Sequence, residues 1–376
     1  MPLHIAWRIL MHQKGRTALA LGGIFIAILL IFVELGFFIA VPRGGMLIYD
    51  HMRFDLLVSS NKYIFQAESW QFPRARLDQV GKNAGVAQVK PLYLGGAKWQ
   101  DPGGGLRLDI AVIGFDPKAR LFAAPEVDRQ LDVLDRADTV LVDSQTRPIF
   151  GTLQPGRAVD INGRRVTIGG QYDLGTGFLG LGVMLANEAN FFRFFPARRP
   201  EAVNLGLVAL KPGADPDQVA RELRAALPND TQIFTRPELS AHEVSFWTTR
   251  TGTGLIFGSG LVVAFVVGIM VLYQTLATQI TRQLPQFATL KAIGYSNGFL
   301  NGIVLIEAVL VMLLAFVPAL AAALGVYSVI RGETLLPVNM TAAQLGAVFA
   351  TTLLMSGISA FLSLGRLRRA DPAEIF

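Results

Sequence analysis

Four stretches of this chain, 17–40, 254–277, 300–326 and 342–364, are each 20 or more residues long, almost wholly apolar, and carry at most one charge. A helix rises 1.5 Å per residue, so about 20 residues cross the hydrocarbon core of a bilayer. In lipid a helix also satisfies its own backbone polar groups. The expectation is therefore four transmembrane helices. Composition agrees: of 376 residues 52% are hydrophobic and only 16% charged, a balance that excludes an all-soluble chain. The first stretch is too long for a secretory signal and lacks a small-residue cleavage site, so it reads as a retained anchor.

Orientation follows from the cationic flanks, which stay on the cytoplasmic side. Arg8, Lys14 and Arg16 precede the first span with no acid, Arg282 and Lys291 lie between the second and third, and Arg366, Arg368 and Arg369 follow the fourth. Segments 1–16, 278–299 and 365–376 are thus expected to be cytoplasmic, and the net charge of +6 is a topology signal. A nucleic-acid partner has no support, since no basic cluster is interleaved with aromatics.

Between the first two spans, 41–253 has ordinary soluble composition and is long enough for a domain. Its two ends, about 54–116 and 197–236, share a β-α-β pattern. The middle, about 117–196, reads as a separate, mostly β insertion with a hairpin turn at Asn162-Gly163. The fold class expected is an α-helical membrane protein with four transmembrane helices and a large α+β extracytoplasmic domain inserted between helices 1 and 2. Phe191, Phe192, Phe194 and Phe195 are expected to pack under the sheet rather than to form a contact surface.

Catalytic signals are weak. There is no cysteine, and His4, His12, His51 and His242 lack metal-ligand spacing, so no metal is expected. Gly175, Gly177 and Gly180 formally satisfy GxGxxG, but the run is followed by strand-like residues and reads as a loop. No Walker A sequence and no GxSxG elbow occur. The chain is expected to be a non-catalytic subunit.

The informative cytoplasmic segment is Gln283, Leu284, Pro285, Gln286, Phe287 and onward through Leu290, Lys291 and Gly294. Pro285 suits the first turn of a short helix, Gly294 its C-cap, and Lys291 the negative end of its dipole. Such an amphipathic helix either rests on headgroups or docks a soluble partner, and periodicity leaves both readings open. Gly260, Ala264 and Gly268 place small residues on one face of the second span, for intrachain packing or a dimer seam. Glu34 and Glu307 are intramembrane carboxylates. Glu34 is near enough to the boundary to reach water and Glu307 to pair with a cytoplasmic-edge cation; a conformational or proton-linked role is the alternative. Pro318 is expected to kink the third span.

These motifs carry a resemblance. FATLKAIGY at 287–295, VVGIMVLYQ at 266–274, LLPVNMT at 335–341 and RLRRADPAEIF at 366–376 resemble the DevC-type permease of DevBCA exporters, within the larger family of FtsX, LolC/LolE and MacB membrane subunits. RPIFG at 147–151 and LKPGAD at 210–215 extend the likeness into the insert. The resemblance implies a bacterial inner-membrane permease that exports lipid-like or amphiphilic cargo. Its implied partners are a separate ABC ATPase, a second permease copy, a periplasmic membrane fusion protein and an outer-membrane duct. No cofactor is implied in this chain, with ATP and Mg in the ATPase. The resemblance also places a coupling helix on 283–294, although relatives often have an acid where Gln286 stands. A lipoprotein-releasing permease and an FtsX-like regulator of a cell-wall hydrolase are the alternatives.

Overall fold

The computed structural model describes residues 14–334, 336 and 338–368. Most of the expected N-terminal segment 1–16 and the end of the tail 365–376, with Arg8, Arg369, Asp371 and Glu374, lie outside the described residues. The chain divides into two units, Val41–Thr251 and the combination of Met1–Ala40 with Gly252–Phe376.

Among the described residues, four helices are long and apolar enough to cross a membrane. They are α1 (Lys14–Asp50), α6 (Gly252–Ala292), α7 (Asn297–Thr334) and α8 (Ala342–Arg368). A large α/β domain is inserted between the first and the rest. In the helical unit, Ile24, Ile28, Phe32, Leu272, Met312, Phe316 and Met355 form the buried core. The helices overrun their apolar windows, and the connector 278–299 is not a separate short helix: α6 continues through Pro285 to Ala292. Proline removes one backbone bond there, and the helix tolerates the loss because adjacent turns remain bonded. Likewise α7 continues through Pro318.

The inserted domain is built on a nine-stranded sheet. Its strands are β1 (Leu56–Ser60), β3 (Val86–Gln100), β4 (Leu108–Phe115), β5 (Thr139–Asp143), β6 (Ala158–Ile161), β7 (Arg164–Tyr172), β8 (Val183–Asn187), β10 (Leu205–Leu210) and β11 (Thr231–Thr235). β2 (Phe72–Pro73) and β9 (Ala202–Val203) make a separate short pair. The order is β11-β1-β10-β3-β4-β8-β5-β7-β6, and β6 also pairs with the end of β3 through Trp99↔Ile161. The middle of the insert is therefore not a separate insertion. The fifteen-residue β3 gives its first half to β10 and its second to β4, so β4, β8, β5, β7 and β6 extend the same sheet and close back on β3.

Strand alternation builds a core on each face. Leu56, Val58, Val140, Val142 and Val208 point to one side, against α2 (Ala75–Val80), α3 (Glu188–Phe194) and α4 (Pro216–Ala226). Leu57, Leu141, Leu205 and Leu207 point to the other, where Tyr49 of α1 and Leu239 of α5 (Arg236–Ser245) lie. Phe191 and Phe194 are buried and Phe192 and Phe195 pack against the first core, as expected. Asn162 and Gly163 both take positive φ, 52° and 80°, the conformation a two-residue hairpin needs. The GxGxxG run opens no helix: Gly175, Gly177 and Gly180 lie in a loop, where a Cβ at Gly177 would come 2.9 Å from the Gly44 carbonyl.

Candidate functional site

At the end of α6 the expected coupling residues are divided between a buried and an exposed side. Phe287 and Ala288 are buried; Phe287 packs with Ile280, Leu300, Ile303 and Val304, and Leu284 and Leu290 lie against that cluster. Pro285, Gln286 and Lys291 are exposed, Gln283 is half-buried, and Ile293 is 71% exposed. Termination is sharp. Gly294 takes φ 103°, its N–H donates to the Lys291 carbonyl (3.0 Å), and Tyr295 N–H donates to the Leu290 carbonyl (3.1 Å). That is a Schellman closure, and only a residue at ease with positive φ sits comfortably at its centre. The result is a rigid helix end with a polar, solvent-directed face and one large exposed aliphatic.

The small-residue face of α6 is occupied within the chain. A Cβ at Gly268 would fall 2.2 Å from Met355 Sδ and 3.3 Å from the Ala27 Cβ, one at Gly260 would meet the Glu34 carboxyl, and Ala264 is fully buried. α8 adds a buried polar stripe, Thr352, Ser356, Ser359 and Ser363. Ser359 Oγ donates to the Ile269 carbonyl (3.0 Å), joining α8 to α6, while Ser363 Oγ donates to the Ser359 carbonyl of its own helix (2.7 Å). The Tyr327 hydroxyl likewise donates to the Phe32 carbonyl, joining α7 to α1. Glu307 is 1% exposed and its Oε1 has no hydrogen-bond partner. The expected pairing with a cytoplasmic-edge cation is absent among the described residues. Glu34 is less enclosed, although its Oε2 is also buried without a partner.

The sequence reading missed a cluster in the inserted domain. α5 opens with a capping box, Thr235 and Glu238 each bonding the other's backbone N–H. One turn from its end it carries Glu243, 0% exposed. The Tyr63 hydroxyl donates to Glu243 Oε1, and the Tyr49 and Tyr63 hydroxyls are 2.9 Å apart. Gly45 makes room for the group, since a Cβ there would lie 2.8 Å from the Trp247 indole nitrogen and 3.0 Å from Glu243 Oε2. Arg236 is the nearby cation, but it donates to the Tyr49 and Met52 carbonyls and lies over the Phe54 ring. His242 is turned to the Ile64 carbonyl (2.9 Å). Burial without a cation pushes the Glu243 carboxyl up to about 7. The available signal was Thr-Arg-Pro-Glu at 235–238, a capping-box sequence with proline in the first turn.

With the geometry in place, comparison with known proteins identifies both parts of the chain. Residues 17–226 match the MacB-like periplasmic core domain, and residues 258–372 match the FtsX-like permease C-terminal domain. No curated protein matches the chain. Among solved structures, the periplasmic region of MacB from Actinobacillus actinomycetemcomitans aligns over 50% of this chain and 91% of its own length, at 11% identity and TM-score 0.36. The extracellular domain of the noncanonical ABC-type transporter YknZ from Gram-positive bacteria aligns over 48% and 99%, at 15% and 0.31. A domain of a permease protein from Porphyromonas gingivalis aligns over 49% and 89%, at 15% and 0.32.

Proposed function

Because this chain belongs to the family of the MacB-like periplasmic core domain, and is an ABC-type membrane subunit, we propose that it is the permease of an ATP-driven exporter of the DevC type. A separate ATPase chain hydrolyses ATP at the cytoplasmic face and docks on the end of α6. Two copies of the permease pair, both termini lie in the cytoplasm, and the inserted domain works in the periplasm of a bacterial inner membrane. A membrane fusion protein and an outer-membrane duct carry lipid-like or amphiphilic cargo onward.

The observation that carries this reading is the construction of the α6 end. Its buried Phe287 is fixed to the start of α7, while Gln286 and Ile293 stay exposed. A force applied at that face is passed to two spans at once. The buried hydroxyls of the spans support a lever rather than a conduit, since Ser359 and Tyr327 bond neighbouring helices.

Affinity purification in mild detergent tests the assembly. An ABC ATPase is expected to co-purify, and Ile293→Glu with Gln286→Lys to release it while membrane accumulation is kept. Recovery of an undiminished complex from that variant, or ATP hydrolysis by the chain alone, overturns the reading. Cargo crosslinking tests the lever: labelling concentrated along the spans, with none on the inserted domain, rejects it.

A further inference from the structure

Where the β6–β7 turn meets the end of α3, the inserted domain opens into a cleft of about 970 Å³. Its lining includes Arg164 and Arg165 at the start of β7, Arg193 in the last turn of α3, and Arg198 in the loop that follows. Asp138, just ahead of β5, is the acidic residue of that lining, and Asp160 stands opposite Arg165 across the β6–β7 pair. One carboxylate, Asp138, does not balance four cations, although it forms long ion pairs with Arg164 and Arg193. Its Oδ1 is 3.6 Å from Arg164 Nη1 and 4.0 Å from Arg193 Nη1, beyond hydrogen-bond reach of either, and that oxygen is buried with no hydrogen-bond partner. Arg165 and Arg198 make no ion pair among the described residues; Arg198 reaches only the Asn204 amide oxygen (3.4 Å) and lies over the Phe195 ring.

The walls are held by two asparagines. Asn162, in the turn, exchanges bonds with the Lys98 backbone (2.8 and 2.9 Å) and donates from Nδ2 to the Phe194 carbonyl (3.0 Å), tying the hairpin to the end of α3. Asn190 is 1% exposed; its Oδ1 accepts from Asp138 N–H (2.9 Å) and its Nδ2 donates to the Arg136 (2.9 Å) and Thr139 (3.1 Å) carbonyls. The backbone under the arginines is thus ordered before anything binds. Like charges gathered on a fixed frame repel, and an anion that reaches several of them removes the repulsion.

We propose that this cleft binds the phosphoryl group of an anionic ligand. A phosphomonoester brings two charges and three acceptor oxygens to one atom, which suits a lining with several guanidinium forks better than a lone carboxylate does. The volume lies near the upper end of the ~300–1,000 Å³ of small-ligand pockets, which favours a compact headgroup over a polypeptide. Phe195 supplies an apolar wall for whatever the phosphoryl is attached to. The inference is independent of coupling to an ATPase, because the isolated chain carries every residue involved.

The test is titration of the purified full chain in nonionic detergent with inorganic phosphate and with dihexanoyl phosphatidic acid, followed by calorimetry, with dihexanoyl phosphatidylcholine as the zwitterionic control. Both phosphoryl probes are expected to bind and the control not to, with a loss of about tenfold or more in Arg164→Gln/Arg193→Gln. Arg165→Gln, which breaks no ion pair, is expected to weaken binding in the same direction without a change in melting temperature. A lipid source is indicated if phosphatidic acid binds well above phosphate, a free phosphate source if the two are equal. Binding that is indifferent to both substitutions, equal binding of the control, or an oligoglutamate peptide that binds more tightly than either probe in the unsubstituted chain overturns the proposal.

Discussion

Glu243 concentrates more chemistry than any residue the sequence singled out. Its carboxyl is raised from 4.5 to about 7, so between those values the folded domain holds a proton that the unfolded chain releases. The folded state then binds more protons, and its stability falls as pH rises through the window, by roughly 3 kcal/mol in full. Asp143, fully buried, where it accepts from the Gln145 and Leu174 N–H groups, is raised to about 6 and adds a slope of the same sign at lower pH. Glu243→Gln is expected to abolish the fall in melting temperature between pH 6 and 7 while leaving the share below pH 6. An unchanged slope would show that the carboxyl is not protonated there. Gly268 gives a second residue-scale prediction. Leucine at that point must displace Met355 and press on Ala27, so Gly268→Leu is expected to cost several kcal/mol, about the 1–3 kcal/mol of overpacking or more, and to reduce the chain recovered from membranes. Normal recovery and an unchanged melting temperature in detergent would count against the packing.

Among the elements, the α6 end shows how far a helix signal can be read. Gly294→Ala forces a Cβ into φ 103° and is expected to fray the last turn at about 1 kcal/mol, measured as faster amide exchange at Ile293 and Tyr295. Protection equal to the parent would mean that the Schellman bonds do not hold the helix end. The C-cap was legible because glycine after an apolar run has one common meaning. Pro285 misled, because proline marks the first turn of a helix in most soluble contexts, whereas here it sits inside a helix whose neighbouring turns are already bonded. The four apolar elements were legible for a harder reason, the fixed thickness of a bilayer. The sheet was less so. Strand positions followed from alternation, but the union of the halves and the middle depends on one long strand, β3, which pairs with its neighbour β4, with the more distant β6, and with β10 across more than a hundred residues, and a local pattern does not encode such distant partners. The arginine cleft escaped for the same cause, since Asp138, Arg164, Arg193 and Arg198 are brought together only by that topology.

For the whole molecule, the division at Ala40/Val41 and Thr251/Gly252 has a consequence that can be measured. Both cores of the inserted domain draw their buried residues from 46–239, with Met46 and Leu239 at the limits, and the helical unit has its own core from Ile24 onward. A stretch of about 210 residues is large enough to bury some 70% of its unfolded surface, which suffices for an independent domain. Residues 41–251 produced alone are therefore expected to be soluble and monomeric and to melt in one cooperative step. They should keep the pH slope that Glu243→Gln removes, because Tyr49, Tyr63 and Glu243 all lie inside the excised segment. A fragment that retains secondary structure but binds hydrophobic dyes and melts without cooperativity would show that the sheet needs the helical unit to set its packing, and the notion of a separately folded head moved by its membrane helices would lose its structural basis.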